Sequence, residues 1–225
     1  MERNELTQPR ILILDCNRFE LATIADSLRL QGIDVLGQAT DTQEVEQLFR
    51  ALDPDAILID YQGCDEPILS TTQYLRSVNP KIGIVLLTHS PDLRLYGITE
   101  SDLPQGTQLI EKSALVELRQ LRIAIENSIA PHPKTAWIAN DWDSTLSSLT
   151  NIQVETLRLL ALGLSNSDIG RTRFVSEKSV EQTISRIAHH LQVSHEHGRN
   201  LRVILAAEYF RWLGAPRRHI FAMRS

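Results

Sequence analysis

The chain has 225 residues, 42% of them apolar and 23% charged, with a formal net charge of −5. That length suits one or two domains with a real core, and the composition excludes the fibrous, collagen-like and wholly disordered classes. No apolar run approaches the ~20 residues of a membrane-spanning helix, residues 1–10 are too polar for a secretory signal, and two cysteines do not make a disulfide framework. A cytoplasmic, reducing-compartment protein is expected.

The net charge hides an asymmetry. Residues 1–148 hold 12 Lys and Arg against 22 Asp and Glu, whereas residues 149–225 hold 11 against 6 and five of the seven histidines. Such a difference in sign suggests an acidic module joined to one that meets a polyanion.

In chain order, the first half alternates strand-like and helix-like segments. Ile11–Leu14 is an apolar run followed by Asp15. Phe19–Gln31 carries Phe19, Leu21, Ile24, Ala25 and Leu28 at helical spacing. Val35–Ala39 reads as a strand, Thr42–Leu52 as a helix capped by Thr42, Ala56–Ile59 as a strand ending at Asp60, and Leu69–Val78 as a helix. Ile82–Leu87 is a further strand, followed by Thr88. Between Ser90 and Gly106 the pattern frays around Pro91, Gly97 and Pro104, so any helix there is short or irregular. Gln108–Ile110, Lys112 and a helix over Leu115–Ser128 complete the series. This alternation predicts a doubly wound α/β fold, and the continuous apolar runs fit strands of a parallel sheet covered on both faces. Pro131, Pro133 and the weakly patterned residues to 146, Trp137 and Trp142 among them, read as a linker.

Doubly wound sheets gather their chemistry at the carboxyl ends of the strands. Asp15, Asp60, Thr88 and Lys112 stand at four such ends. Two carboxylates, a hydroxyl and an ammonium suit phosphoryl transfer: one carboxylate attacks, a hard cation neutralises the phosphate, and hydroxyl and ammonium bind its oxygens. Cys16 and Cys64 are expected near this pocket, with His89 beside Thr88, as inert thiols, a redox pair or a soft-metal site.

The segments "ILILDCN", "DAILIDYQG", "GIVLLTHS" and "LIEKS" resemble the receiver domain of bacterial response regulators, over residues 8–130. The resemblance implies a five-stranded sheet of flavodoxin-like order, with Asp60 as phospho-acceptor, Thr88 as switch hydroxyl, Lys112 as pocket lysine and Asp15 as first of an acidic pair. The second member of that pair is Cys16 here. A thiol is a poor ligand for Mg²⁺, which leaves Asp15 and Asp60 as a weak magnesium site. The family's aromatic switch position is Leu109, its Met-Pro after the acceptor is missing from Tyr61–Asp65, and its fourth helix is degenerate.

From Leu149 the signal is purely helical. Thr150 and Gln153 form a capping-box pattern ahead of an apolar stripe of Leu157, Leu160, Ala161 and Leu164. Ser165 caps Asn166–Arg173, with Asp168 three residues on. Ser176 caps Glu177–Leu191, where Val180, Ile184, Ile187 and Leu191 form one buried face. Lys178, Glu181, Gln182, Ser185, Arg186 and His189 point the other way. Two helices joined by a tight turn, the second presenting polar side chains, form a helix-turn-helix arrangement. An ordinary amphipathic helix with a solvated face would share that pattern.

The pieces "LTNIQVETLRLLALGLSNSDI", "VSEKSV" and "SRIAHHLQV" resemble the LuxR/NarL-type DNA-binding domain, over residues 147–214. The resemblance implies a recognition helix over Glu177–His190 and a last helix, Asn200–Leu213, of the kind that forms dimer contacts. Glu181 and Thr183 depart from the family's usual lysine and histidine. The expected DNA-contacting residues are Asn166, Arg171, Arg173, Lys178, Gln182, Ser185 and Arg186, with Lys178 and Arg186 on phosphates. The loop His195–Arg199 is charged, and a basic tail over residues 215–225 would add nonspecific phosphate attraction. The combined expectation is a non-enzymatic transcription regulator that binds double-stranded DNA as a homodimer. It would be controlled by a sensor histidine kinase through Asp60 and Mg²⁺, or independently of phosphorylation by a partner protein, a ligand or constitutive dimerisation.

Overall fold

A computed structural model of the chain describes residues 8–60, 68–90, 92–139, 144–193 and 200–214. It divides into two compact units, Met1–Pro91 with Glu100–Asn140, and Asp92–Thr99 with Asp141–Ser225. The expectations for Tyr61–Asp65, Cys64, Pro91, Trp142, His195–Arg199 and the basic tail 215–225 concern residues outside the described ones.

The first unit is built on β1 (Arg10–Leu14), β2 (Asp34–Ala39), β3 (Ala56–Asp60), β4 (Gly83–Thr88), β5 (Gln108–Glu111) and β6 (Ala136–Ile138). All pairings are parallel, in the order β2-β1-β3-β4-β5-β6. The doubly wound sheet is therefore as expected, with six strands instead of five. The extra strand comes from the stretch read as linker. Its three residues give too short a period to recognise, and pairing with β5 supplies its order. The Gln108 side-chain amide helps hold it by donating to the Lys134 carbonyl at 2.7 Å.

Helices α1 (Arg18–Leu30), α2 (Thr42–Leu52), α3 (Ile68–Val78) and α4 (Arg119–Ser128) cover the sheet. Ile11, Ile13, Leu58, Val85, Leu87 and Ile110 share a core with Leu21, Ala25 and Leu28 of α1 and Leu121, Ala124 and Ile125 of α4. Strand side chains alternate between faces, and the alternate set Leu12, Leu14, Ile57, Ile59, Ile84 and Leu86 is just as buried. Both faces are dry, which is why these strands read as unbroken apolar runs.

Two local expectations are corrected. The cap of α2 is Asp41, whose carboxylate accepts from the Glu44 amide at 2.7 Å, while Thr42 is the first helical residue. The helix expected from Leu115 starts at Arg119; a 3₁₀ turn, Lys112–Ala114, comes first, and Leu115 is extended. A lone turn after a strand cannot be told from a helix start by periodicity.

The second unit holds α5 (Ser144–Ser148), α6 (Asn151–Ala161), α7 (Asn166–Arg173), α8 (Glu177–His190) and α9 (Leu201–Trp212). The caps lie where the sequence places them. Thr150 and Gln153 form a reciprocal capping box, and Ser165 and Ser176 accept from the amides of Asp168 and Ser179. Asn200 caps α9. Val154, Leu157, Ile169, Val180, Ile187, Leu205 and Tyr209 meet in one core.

A segment from the frayed stretch completes that core. Leu93–Tyr96 forms a 3₁₀ turn capped by Asp92, and Leu95, fully buried, packs with Leu146, Leu149, Leu157 and Tyr209 as part of the cluster. The Tyr209 hydroxyl donates to the Leu95 carbonyl at 2.6 Å. The Arg94 guanidinium, clamped by Asp92, donates to the carbonyl of Leu149 at 2.8 Å and to the Asn151 side chain at 3.1 Å.

Candidate functional site

At the carboxyl edge of the first unit, β1 ends just before Asp15, β3 ends at Asp60, and β5 runs into Lys112. A cleft of about 570 Å³ is lined by Asp15, Cys16, Asn17, Arg18, Glu20, Asp60 and Lys112. The Lys112 ammonium pairs with the Asp60 carboxylate and with Glu20, the latter at 2.6 Å. Burial pulls the lysine's pKa down, but the bonds to Asp60 and Glu20 outweigh it and the net shift is upward. The Glu20 carboxyl is held low by its bond from Lys112.

Asp15 is 1% exposed. Its Oδ1 accepts from the Asn17 amide at 2.8 Å, and its Oδ2 is buried with no hydrogen-bond partner. Burial pushes its pKa from 3.8 up to about 6, against the Asn17 amide that lowers it, with the Asp60 charge adding to the rise. A carboxyl that holds its proton more tightly when folded makes stability fall as pH rises from about 4 through about 6. Asp15→Asn keeps an oxygen for Asn17 and removes the charge. It is expected to raise stability by about 1–3 kcal/mol at pH 7.5 in EDTA, with the gain disappearing below about pH 4. Urea denaturation at both pH values checks this, and no gain at pH 7.5 would contradict the raised value.

Among the predicted pocket residues, Asp15, Cys16, Asp60 and Lys112 converge. Thr88 is buried at the end of β4 but does not line the cleft, and its hydroxyl donates to the Ser90 carbonyl at 2.7 Å. Cys16 is disulfide-bonded, and the other cysteine of the sequence is Cys64. Of the alternatives expected for Cys16, the inert thiol and the soft-metal ligand are excluded, because a sulfur so bonded is no free thiol or thiolate. Among the described residues, the group of three carboxylate, histidine or cysteine side chains that comes together is Asp15, Glu20 and Asp60, with ligand oxygens within 4.8 Å of one another. An orphaned buried carboxylate oxygen beside two further carboxylates fits a hard divalent cation. His89 is not part of that group.

The second unit places the other predicted residues on α7 and α8. Helix α8 buries Val180, Thr183, Ile184, Ile187 and Ala188 and exposes Lys178, Glu181, Gln182, Ser185, Arg186 and His189. Arg171 is exposed and paired with Asp168. Asn166 and Arg173 are half-buried and engaged inside the unit: Asn166 accepts from Arg202 at 2.6 Å, and Arg173 donates to the Thr156 hydroxyl on α6. The Ser185 hydroxyl bonds back to the Glu181 carbonyl at 3.0 Å.

Two side chains carry no warning in the sequence. Glu20 stands three residues after Asn17, the cap of α1, where a capping role accounts for it. Phe174 is 95% exposed in the left-handed region at φ 55°, in the turn between α7 and α8.

Residues 147–198 match the family described as bacterial regulatory proteins, luxR family. The chain is similar to the transcriptional regulatory protein LiaR of Bacillus subtilis (strain 168), with 31% identity over 197 residues that cover 82% of this chain and 92% of LiaR. It is also similar to the DNA-binding transcriptional activator EvgA of Escherichia coli (strain K12), with 23% identity over 188 residues, covering 80% and 90%. In fold it is similar to RcsB from Salmonella enterica serovar Typhimurium, solved bound to a promoter, with a TM-score of 0.52 at 17% identity over 93% of this chain and 100% of that one. These relatives are transcription regulators, not enzymes. The identity to LiaR across most of both chains, together with the sheet order and the helical unit, shows that this chain belongs to the response regulators that join a receiver-like α/β domain to a luxR-family helix-turn-helix domain.

Proposed function

We propose that the chain binds a two-fold symmetric DNA site as a homodimer, reads it with α8, and is governed by its receiver-like domain. The functional division follows the two units: the sheet-bearing unit, with β6 from the stretch expected as a connector over 131–146, acts as receiver, and the helical unit, with Asp92–Thr99, acts as DNA-binding domain. The observation that carries this reading is the exposed face of α8. A side of a stable helix that presents Lys178, Gln182, Ser185 and Arg186 while five residues anchor the other side can enter a major groove without unfolding anything. Lys178 and Arg186 then hold phosphates and Gln182 reads a base edge, glutamine being suited to bidentate contact with adenine. RcsB is known as two dimers bound to two parallel DNAs, which supports a dimer here.

Control would come through Asp60. Its carboxylate oxygen attacks the phosphorus of a phosphodonor such as a sensor histidine kinase, and the bond from phosphorus to the donor breaks. Lys112, already on Asp60, would follow the charge onto the phosphoryl oxygens. Rotation of the Thr88 hydroxyl away from Ser90 would bring a second donor. A bound divalent cation would neutralise the remaining phosphoryl charge. One observation favours a second reading, control by a partner or ligand without phosphorylation: the acidic residue expected beside Asp15 is replaced by a disulfide-bonded cysteine.

The full chain is the right object for testing, since Asp92–Thr99 belongs to the helical unit. Selection from random duplexes should enrich a two-fold site, with binding that falls steeply with salt. Arg186→Ala should weaken binding to all sequences and lower the salt slope by about 1, whereas Gln182→Ala should cost about 1–3 kcal/mol and relax one base position. No enriched site, or unchanged affinity in both variants, would refute the interface. Intact mass after treatment with a small phosphodonor and Mg²⁺ separates the two modes of control: an adduct lost in Asp60→Ala supports phosphorylation, and no adduct supports the second reading.

A further inference from the structure

We propose that Glu20, not residue 16, supplies the third hard oxygen of a divalent-cation site with Asp15 and Asp60, and that the cation takes Glu20 from Lys112. This deepens the pocket reading above and rests on it. Three observations carry it. Asp15 lines the cleft, and its Oδ2 atom is buried with no hydrogen-bond partner, a state that costs free energy unless something cationic or protic occupies the neighbouring space. Position 16 cannot provide that partner's next ligand, because its sulfur is disulfide-bonded, neutral and soft. Finally, Glu20 reaches into the same cleft from the first turn of α1, oriented by Asn17, whose side-chain amide donates to Oε1 at 3.1 Å.

The geometry is close to closing. Oxygens bound to one Mg²⁺ at about 2.1 Å lie no more than about 4.2 Å apart, and the three carboxylates present oxygens within 4.8 Å of one another. The remaining contraction falls on Glu20, whose side chain is 43% exposed while those of Asp60 and Asp15 are immobilised by burial. Its present partner is the Lys112 ammonium. A cation arriving between the carboxylates replaces that charge on Glu20 and leaves Lys112 wholly on Asp60, the side from which a phosphoryl group would be held.

Binding of Mn²⁺ to the full chain, followed by loss of the free-ion electron paramagnetic resonance signal and by competition with Mg²⁺, tests this without any activity readout. The wild-type chain is expected to bind one Mn²⁺ that Mg²⁺ displaces. Glu20→Gln should bind roughly ten- to hundredfold more weakly, as should Asp15→Asn, while Glu117→Gln, an exposed residue outside the cleft, should not differ. Glu20→Asp should bind between wild type and Glu20→Gln, and thermal melts of each variant exclude unfolding as the cause. Mn²⁺ binding that is lost in Asp15→Asn but kept in Glu20→Gln would overturn the role of Glu20 and leave the pocket reading standing. No binding by the wild-type chain would overturn both, with DNA binding by α8 still open to its own test.

Discussion

Leu95→Ala is expected to destabilise the helical unit by about 3 kcal/mol, although Leu95 lies more than fifty residues before the first core residue of α6. The side chain is fully buried among Leu146, Leu149, Leu157 and Tyr209, and deleting such a leucine leaves a cavity whose cost adds to the lost transfer free energy. Native-state hydrogen exchange should show roughly a hundredfold loss of protection in α6 and α9, with β1 and β3 unchanged. Loss confined to the strands, or no loss at all, would show that the turn Leu93–Tyr96 merely rests on the helices. By the same reasoning a fragment beginning at Asp141 lacks part of its own core and should be less stable than the same residues in the whole chain.

Removing the Lys112 ammonium from the pocket should have an effect of similar size. Lys112→Met leaves Asp15, Asp60 and Glu20 facing one another with no ammonium between them. Asp60 is 2% exposed, and breaking a buried pair by deleting one partner typically costs about 3–5 kcal/mol; the partial exposure of Lys112 and Glu20 brings the expectation to about 2–4 kcal/mol at pH 7.5 in EDTA. The sign with pH follows from the carboxylates. As Asp15, whose carboxyl is pushed up to about 6, takes up its proton, the repulsion is relieved, so the penalty should shrink toward pH 4. Urea denaturation across that range gives the answer, and a penalty unchanged from pH 7.5 to pH 4 would show that Lys112 acts through packing alone.

These two residues illustrate what could and could not be read in advance. Lys112 was legible because it follows an apolar strand, and the polar residue after a buried strand falls at the sheet's carboxyl edge whatever the rest of the chain does. Leu95 was not legible as a core residue of the helical unit. It sits in a stretch without period, and a single apolar residue in a 3₁₀ turn carries no indication of which core it enters. The same contrast separates Asp15 and Asp60 from Glu20, which reads as a capping residue of α1 until the fold sets it against a lysine 92 positions away.

The amino-acid order alone determined strands β1 to β5 of the first unit, the caps of α6, α7 and α8, and the face of α8 that carries Gln182 and Arg186. Each depends on alternation, helical period or a hydrogen bond spanning three residues, all properties of contiguous chain. Only the tertiary structure decided that β6 joins the sheet, that Asp92–Thr99 belongs with the helices, that Cys16 is bonded, and that Glu20 shares a cleft with Asp15 and Asp60. Those features bring together residues tens of positions apart, and such meetings are set by how the whole chain closes on its cores, where many sequences of equal local pattern would place different neighbours.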